Sequence, residues 1–344
     1  MTNQELISLI NDYLNYKDAK NNEIFDLDNL NNFIYMCEKY YNLPDEIYDF
    51  KPYDVNFSEF NRVPFEETVN NVVSLFTELG FNIDNEVIDN YIKNGNIGLN
   101  FFENKDYTKS EFMDNAFDGF YRKLKDDNFM VDISYLGNAL DSIVLSHELA
   151  HHIFKGNGDY DHYETEVFAI FIELIMNDKL KSKGYIKESK FDRLFRLRAT
   201  INNSNIKEFL MVLEVFLTTG GIEYNDFKMI YHNMKYDRYI RIIDKVKDRL
   251  TKKETENYRE YYRRIDFERS SYYVFACLIS SYMFYRYKED PSYLNNVKSA
   301  ISYPTSENIY KFLQRLELDN NVDEKFKYTI REISKDVFDK EKTL

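Results

Sequence analysis

The sequence predicts a mostly helical fold with a small β-sheet set beside one distinctive helix. Three observations carry this. Apolar residues recur at helical spacing along most of the chain. Between residues 97 and 136 the pattern changes to three short, β-rich, partly alternating segments. From Ala139 onward helical spacing resumes almost to the end.

Taken in order, Leu6, Ile7, Leu9, Ile10, Tyr13 and Leu14 mark a first amphipathic helix, and Leu30, Phe33, Ile34, Cys37, Tyr40 and Tyr41 a second. Asn/Asp-rich turns and Pro44, Pro52 and Pro64 follow, and make the best candidate boundary. We therefore expect a helical segment over residues 1–60 and a second domain over 61–344. "EETVNNVVSLFTELG" (66–80) reads as a helix stopped by Gly80, and "DNEVIDNYIKNG" (84–95) as one capped by Asp84 and ended by Gly95. The strand candidates are "IGLNFF" (97–102), "FDGFYRK" (117–123) and "FMVDISYL" (129–136). Beyond Ala139, Gly156, Gly184 and the Gly220–Gly221 pair punctuate helices. Asp290-Pro291 pairs an N-cap with proline at the first helical position. "YPTSENIYKFLQRL" opens another helix, and no internal repeat is visible.

Composition bounds the function. Hydrophobic residues make up 44% and charged residues 30% of the 344, as in a soluble globular protein. Aromatics reach 17%, with 30 Tyr and 28 Phe, so no single tyrosine is informative by itself. The net charge of −14 argues against a nucleic-acid partner, which needs a basic face, and against an anionic membrane. Cys37 and Cys277 are far apart in apolar surroundings and read as two buried thiols in a reducing cytoplasm. The N-terminus lacks a signal-peptide pattern. The longest apolar run, 272–285, is too short to span a bilayer and reads as a core helix.

The chemistry concentrates in "VLSHELAHHIF" at 144–154. On a helix His147 and His151, four apart, share one face and can offer two imidazoles to one metal. Glu148 projects beside them, placed to work on water without ligating. A catalytic zinc needs a third protein ligand and an open position. His152 points about 100° away around the helix, and His162 lies in a polar turn. The next helix, "YETEVFAIFIELIMNDKL", is the natural second wall. Its Glu166 and Glu173, seven apart, share a face. We assign Glu166 as third ligand, with Glu164 the alternative. Glu173 lies two turns deeper, where it could orient a ligating imidazole, or be a solvated charge. One zinc per chain would lower the pKa of water toward ~7 and polarise a carbonyl, with Glu148 as general base and acid.

These stretches resemble the oligoendopeptidase F and thimet-oligopeptidase family of zinc metallopeptidases. "DSIVLSHELAHHIF" is similar to the family's active-site helix, and "ETEVFAIFIEL" to its third-ligand helix, with Glu166 on the ligand and Glu173 on the later acidic position. "FMVDISYLGNALDS" resembles the preceding strand and turn, which in the family offers an edge to the substrate backbone. "RIDFERSSYYVFACLISS" resembles the tyrosine-rich segment facing the zinc, and "PSYLNNVKSAISYPTSENIYKFLQRLEL" the closing helices. The likeness runs from about residue 60 to the end. It implies a helical metallopeptidase with peptide substrates, and Tyr273, with Tyr272 beside it, as donor to the developing oxyanion.

The chain departs from the family in three ways. Ala150 stands where members usually have glycine, only about sixty residues precede the likeness, and Phe267 stands where a histidine is usual. A second resemblance, through "HELAHH" and "ETEVFAIFIELIMND", is to short immunity-type gluzincins that cleave phage-type repressors. The expectation is an intracellular endopeptidase for short peptides. The alternatives are a protease dedicated to one protein or peptide, and a zinc-binding pseudoenzyme that binds peptides.

Overall fold

The computed structural model describes residues 59–101, 119–124, 129–154, 162–200, 267–301 and 305–338, together with Leu43, Ile47, Phe50 and Val55. The helices expected over 6–14 and 30–41, Cys37, Gly156 and the Gly220–Gly221 pair lie outside them. The chain divides into two compact units. One gathers Met1–Asp26, Asn31–Tyr41 and Ala199–Phe275; the other gathers Leu27–Leu30, Asn42–Arg198 and Ala276–Leu344. The elements described below belong to the second unit, apart from residues 199–200 and 267–275, which fall in the first.

From residue 59 on, the first helices described are α1 (Phe65–Glu78) and α2 (Asn85–Lys93). Their ends follow local chemistry. Asp84 caps α2 by accepting from the Val87 amide at 2.9 Å. Gly80 and Gly95, at φ +74° and +73°, take the left-handed turn that ends each helix. The strands β1 (Ile97–Phe101), β2 (Gly119–Lys123) and β3 (Phe129–Tyr135) form a three-stranded sheet ordered β1-β3-β2. β1 runs parallel to β3, and β2 antiparallel to it, with Gly119 opposite Ile133.

This order corrects one implication of the family resemblance. The strand before the motif, β3, is central and paired on both sides. Val131 and Ile133 are fully buried, as a central strand requires. Among the described residues the sheet edge beside the motif helix is that of β2.

A tight turn leads from β3 into α3 (Leu140–Phe154). Gly137 sits at φ +72°. The Asp141 carboxylate accepts from the amides of Leu136 (2.9 Å), Gly137 (2.7 Å) and Asn138 (3.0 Å), so the first turn of the helix is tied to the end of the strand. Burial pushes the Asp141 carboxyl up to about 6, although these three amides pull the other way.

Next come α4 (His162–Ser182) and α5 (residues 186–200). α4 is buried on nearly every side, from Val167 through Ile172 to Met176 and Leu180. It packs against α3, and its partner on another side is α6 (Phe267–Glu289), whose Ser280 hydroxyl donates to the Val167 carbonyl at 2.6 Å. The expected core helix over 272–285 is thus found, with Cys277 buried in it. Asp290 caps the next segment by accepting from the Ser292 amide at 2.9 Å. That segment is a 3-10 turn, Pro291–Tyr293, leading into α7 (Leu294–Ala300). α8 (Thr305–Arg315) and α9 (Val322–Phe338) complete the unit.

The phenylalanine content has a structural use. Rings of Phe76, Phe81, Phe154, Phe168 and Phe312 follow one another at centroid spacings of 6.1, 5.3, 5.1 and 6.2 Å, linking α1, α3, α4 and α8. Among the described residues no helix is long and apolar enough to cross a membrane.

Candidate metal centre

The helical period places His147 and His151 on one face of α3, and both are buried. Their Nε2 atoms lie 3.2 Å apart. The Glu166 carboxylate, on the first half of α4, reaches across to both: Oε2 is 3.7 Å from His147 Nε2 and Oε1 is 3.7 Å from His151 Nε2. One ligand atom from each residue falls within a 4.8 Å cluster, a group that could hold a metal ion. α3 and α4 pack closely because both are apolar around most of their circumference, and this brings the third residue into register.

The donor set fits a tetrahedral ion. Two ligands each about 2.05 Å from zinc stand about 3.3 Å apart. The imidazole pair already has that spacing, and the carboxylate needs only a few tenths of an ångström of movement. Glu166 Oε2 is buried and without a hydrogen-bond partner. A buried carboxylate oxygen left so is costly unless a cation or donor meets it.

The nitrogen of His147 that faces away, Nδ1, is 3.0 Å from Glu173 Oε2. With a carboxylate as partner, Nδ1 carries the proton and Nε2 is left as the ligand atom. Glu173 is fully buried. Burial alone would raise its carboxyl pKa, but the Arg196 charge and the His147 hydrogen bond outweigh this and hold it below the usual range. Burial alone would likewise lower the His147 pKa. The Glu173 hydrogen bond and the charges of Glu148, Glu166 and Glu173 outweigh that and hold the His147 pKa above the ordinary imidazole value.

Glu148 follows His147 on α3 and is buried. Its neighbour is Gly119 at the start of β2. A Cβ at Gly119 would come within 2.5 Å of Glu148 Oε1 and 2.7 Å of its Cγ. Strand and carboxylate can approach this closely only because residue 119 has no side chain.

The other candidates are placed as follows. His152 turns away from the cluster into aromatic surroundings, stacked on Phe129 at 3.7 Å with the Tyr91 hydroxyl 3.5 Å from its Nε2. His162 and Glu164 begin α4, and their side chains lie outside the described residues, as do those of Phe267 and Tyr272. Tyr273 is half-buried on α6, in the part of that helix that belongs to the first unit. Sequence reasoning missed Gly119 and Arg196. Gly119 falls inside the strand candidate 117–123, with nothing local that ties it to Glu148. Arg196 lies in "RLFRLR" (193–198), and nothing in its spacing relates it to the motif.

No protein-family model matches the sequence, and no curated protein matches it. Among solved structures, the chain is similar to the crystal structure of a "putative peptidase from Chlamydophila abortus". The TM-score is 0.55 at 14% sequence identity, over 94% of this chain and 57% of that one. At such identity the likeness is one of fold, and this chain spans little more than half the length of that neighbour.

Proposed function

We propose that the chain is a zinc-dependent endopeptidase that hydrolyses short peptides. The observation that carries this reading is the convergence of His147, His151 and Glu166, with the buried carboxylate of Glu148 one residue along the same helix. The similarity of fold to a protein described as a peptidase supports it, as does the resemblance of the motif and its flanks to the oligoendopeptidase F family.

A zinc ion held by the three residues would act as a Lewis acid and bring the pKa of water near ~7. Glu148 takes the proton of the attacking water and returns it to the leaving amine. Glu173 keeps the His147 proton on Nδ1. Among the described residues the outer edge of β2, beside Glu148, pairs with no other strand, and in this reading it offers backbone donors and acceptors to an extended peptide. The oxyanion donor, Tyr273 or Tyr272, is proposed on the family resemblance alone.

The test is Glu148→Gln, which keeps the shape of the side chain and removes the base. The variant is expected to bind one zinc per chain and to cleave no member of a mixed peptide library that the wild type cleaves. Wild-type turnover in this variant would end the mechanism. Stoichiometric zinc in a wild type that cleaves nothing would instead favour a peptide-binding pseudoenzyme.

A further inference from the structure

We infer that Arg196 is a positioning residue of the metal centre, acting through Glu173 on the ring of His147. The inference rests on the proposed zinc site and adds to it a residue from a third helix. Arg196 Nε donates to Glu173 Oε1 at 2.8 Å, and Nη2 donates to Oε2 at 2.5 Å. The same Oε2 faces His147 Nδ1 at 3.0 Å. One fully buried carboxylate is therefore gripped by a planar fork on one side and presents an oxygen to a metal ligand on the other.

The geometry matters because neither intermediate group is rigid by itself. A glutamate side chain has three rotatable bonds, and an imidazole turns about its last one. A bidentate guanidinium fixes the carboxylate plane as well as its position, which a point charge does not. Once that plane is fixed, Nδ1 is fixed, and Nε2 on the opposite side of the ring is aimed at the point shared with His151 and Glu166. Arg196 itself is well located. α5 is pinned to α4 where Asn177 Nδ2 donates to the Ser189 carbonyl (3.0 Å) and to Asp192 Oδ2 (2.8 Å). The Ser189 hydroxyl completes the clasp, donating to Asn177 Oδ1 at 2.6 Å.

A merely structural role, pairing a buried charge, predicts something else. It would be served by any cation at this place, and its loss would appear in stability and not in metal affinity. Arg196→Lys separates the two, since it keeps the charge and gives up the fork. The experiment is chelator-competition measurement of zinc affinity on the full chain. It covers wild type, Arg196→Lys, Arg196→Met, Glu173→Gln and the Arg196→Met/Glu173→Gln double variant, with thermal melts of each metal-stripped protein. Residues that orient a metal-binding histidine are typically worth about 10–100-fold in affinity. Arg196→Lys and Arg196→Met should weaken zinc binding by about 10-fold or more. The double variant should be no weaker than Glu173→Gln alone, because both act on one path. Folded Arg196→Lys with wild-type zinc affinity would overturn the inference, and so would fully additive effects. A wild type that binds no zinc would overturn the proposed function itself, a result distinct from either.

Discussion

Under the proposed mechanism, replacing Gly119 by alanine should disable the base and leave the metal site intact. The added Cβ would stand 2.5 Å from Glu148 Oε1, 2.7 Å from Glu148 Cγ and 2.8 Å from Val144 Cγ1. Non-bonded carbon contacts begin at about 3.5 Å, so the groups must separate by roughly 1 Å. β2 cannot retreat freely, since Gly119 to Lys123 pair residue by residue with β3. α3 cannot retreat either, because nearly all of its residues are buried. The Glu148 side chain, turning about its own bonds, is the part that can yield. A misplacement of about 1 Å in a reacting group costs on the order of 10²-fold in rate, about 2.7 kcal/mol. Around the helix His147 lies about 100° and His151 about 60° from Glu148, so both can keep their metal while the Glu148 side chain turns. The assay compares kcat/KM on a fluorogenic peptide, zinc content and melting temperature. The expected outcome is stoichiometric zinc with turnover reduced about a hundredfold. Undiminished turnover would refute the argument that the missing side chain reserves space for the base. Loss of zinc along with activity would show that the whole helix, and not one side chain, had moved.

Two further outcomes follow from the same contacts. Glu166→Ala should lose most bound zinc, measured by metal analysis of the purified chain; full zinc in that variant, with loss in Glu164→Ala, would move the third ligand to residue 164. Asp141 gives a pH signature. Its carboxyl is raised to about 6 from 3.8, so the folded chain binds this proton more tightly than the unfolded one. Its contribution is complete below pH 3.8 and is lost as pH rises through about 6, a change of about 3 kcal/mol at most. Denaturant melts between pH 4 and 7 should show that fall in the wild type and not in Asp141→Asn, and equal pH slopes would contradict it.

The parts of the molecule legible in its sequence are those decided within a turn or two of chain. Asp84, Gly80, Gly95 and Asp290 act on amides or dihedrals next to them, so the element ends near them fall within a residue or two of expectation. Where the deciding contact is distant the sequence is silent. That β3 lies between β1 and β2 depends on which strand the chain returns to, and "FMVDISY" is equally apolar as an edge or a centre. Asp290 and Pro291 cap and open a helix as their pattern implies; that its first turn is 3-10 is not written locally, and Tyr293 at the end of that turn is buried in the core. There its hydroxyl donates to the Leu316 carbonyl at 2.7 Å.

The same division runs through the candidate site. His147 and His151 fall together because four residues make about one helical turn. Glu166 and Glu173 both reach α3 because seven residues make two turns, one carboxylate facing the Nε2 atoms and the other Nδ1. Helical geometry accounts for both pairs once α3 and α4 are packed. Gly119 and Arg196 have no such periodic relation to the motif. Each arrives on a separate element, β2 or α5, and what each contributes is shape: a bare strand backbone that lets Glu148 fill the place of a Cβ, and a plane for the Glu173 carboxylate. Substitutions there should therefore change how well the groups on α3 work without changing which groups they are. Glycine to alanine should reach the base alone, and arginine to lysine the metal alone. Two separable losses at a single helix would be hard to explain if Gly119 and Arg196 served only to hold the fold together.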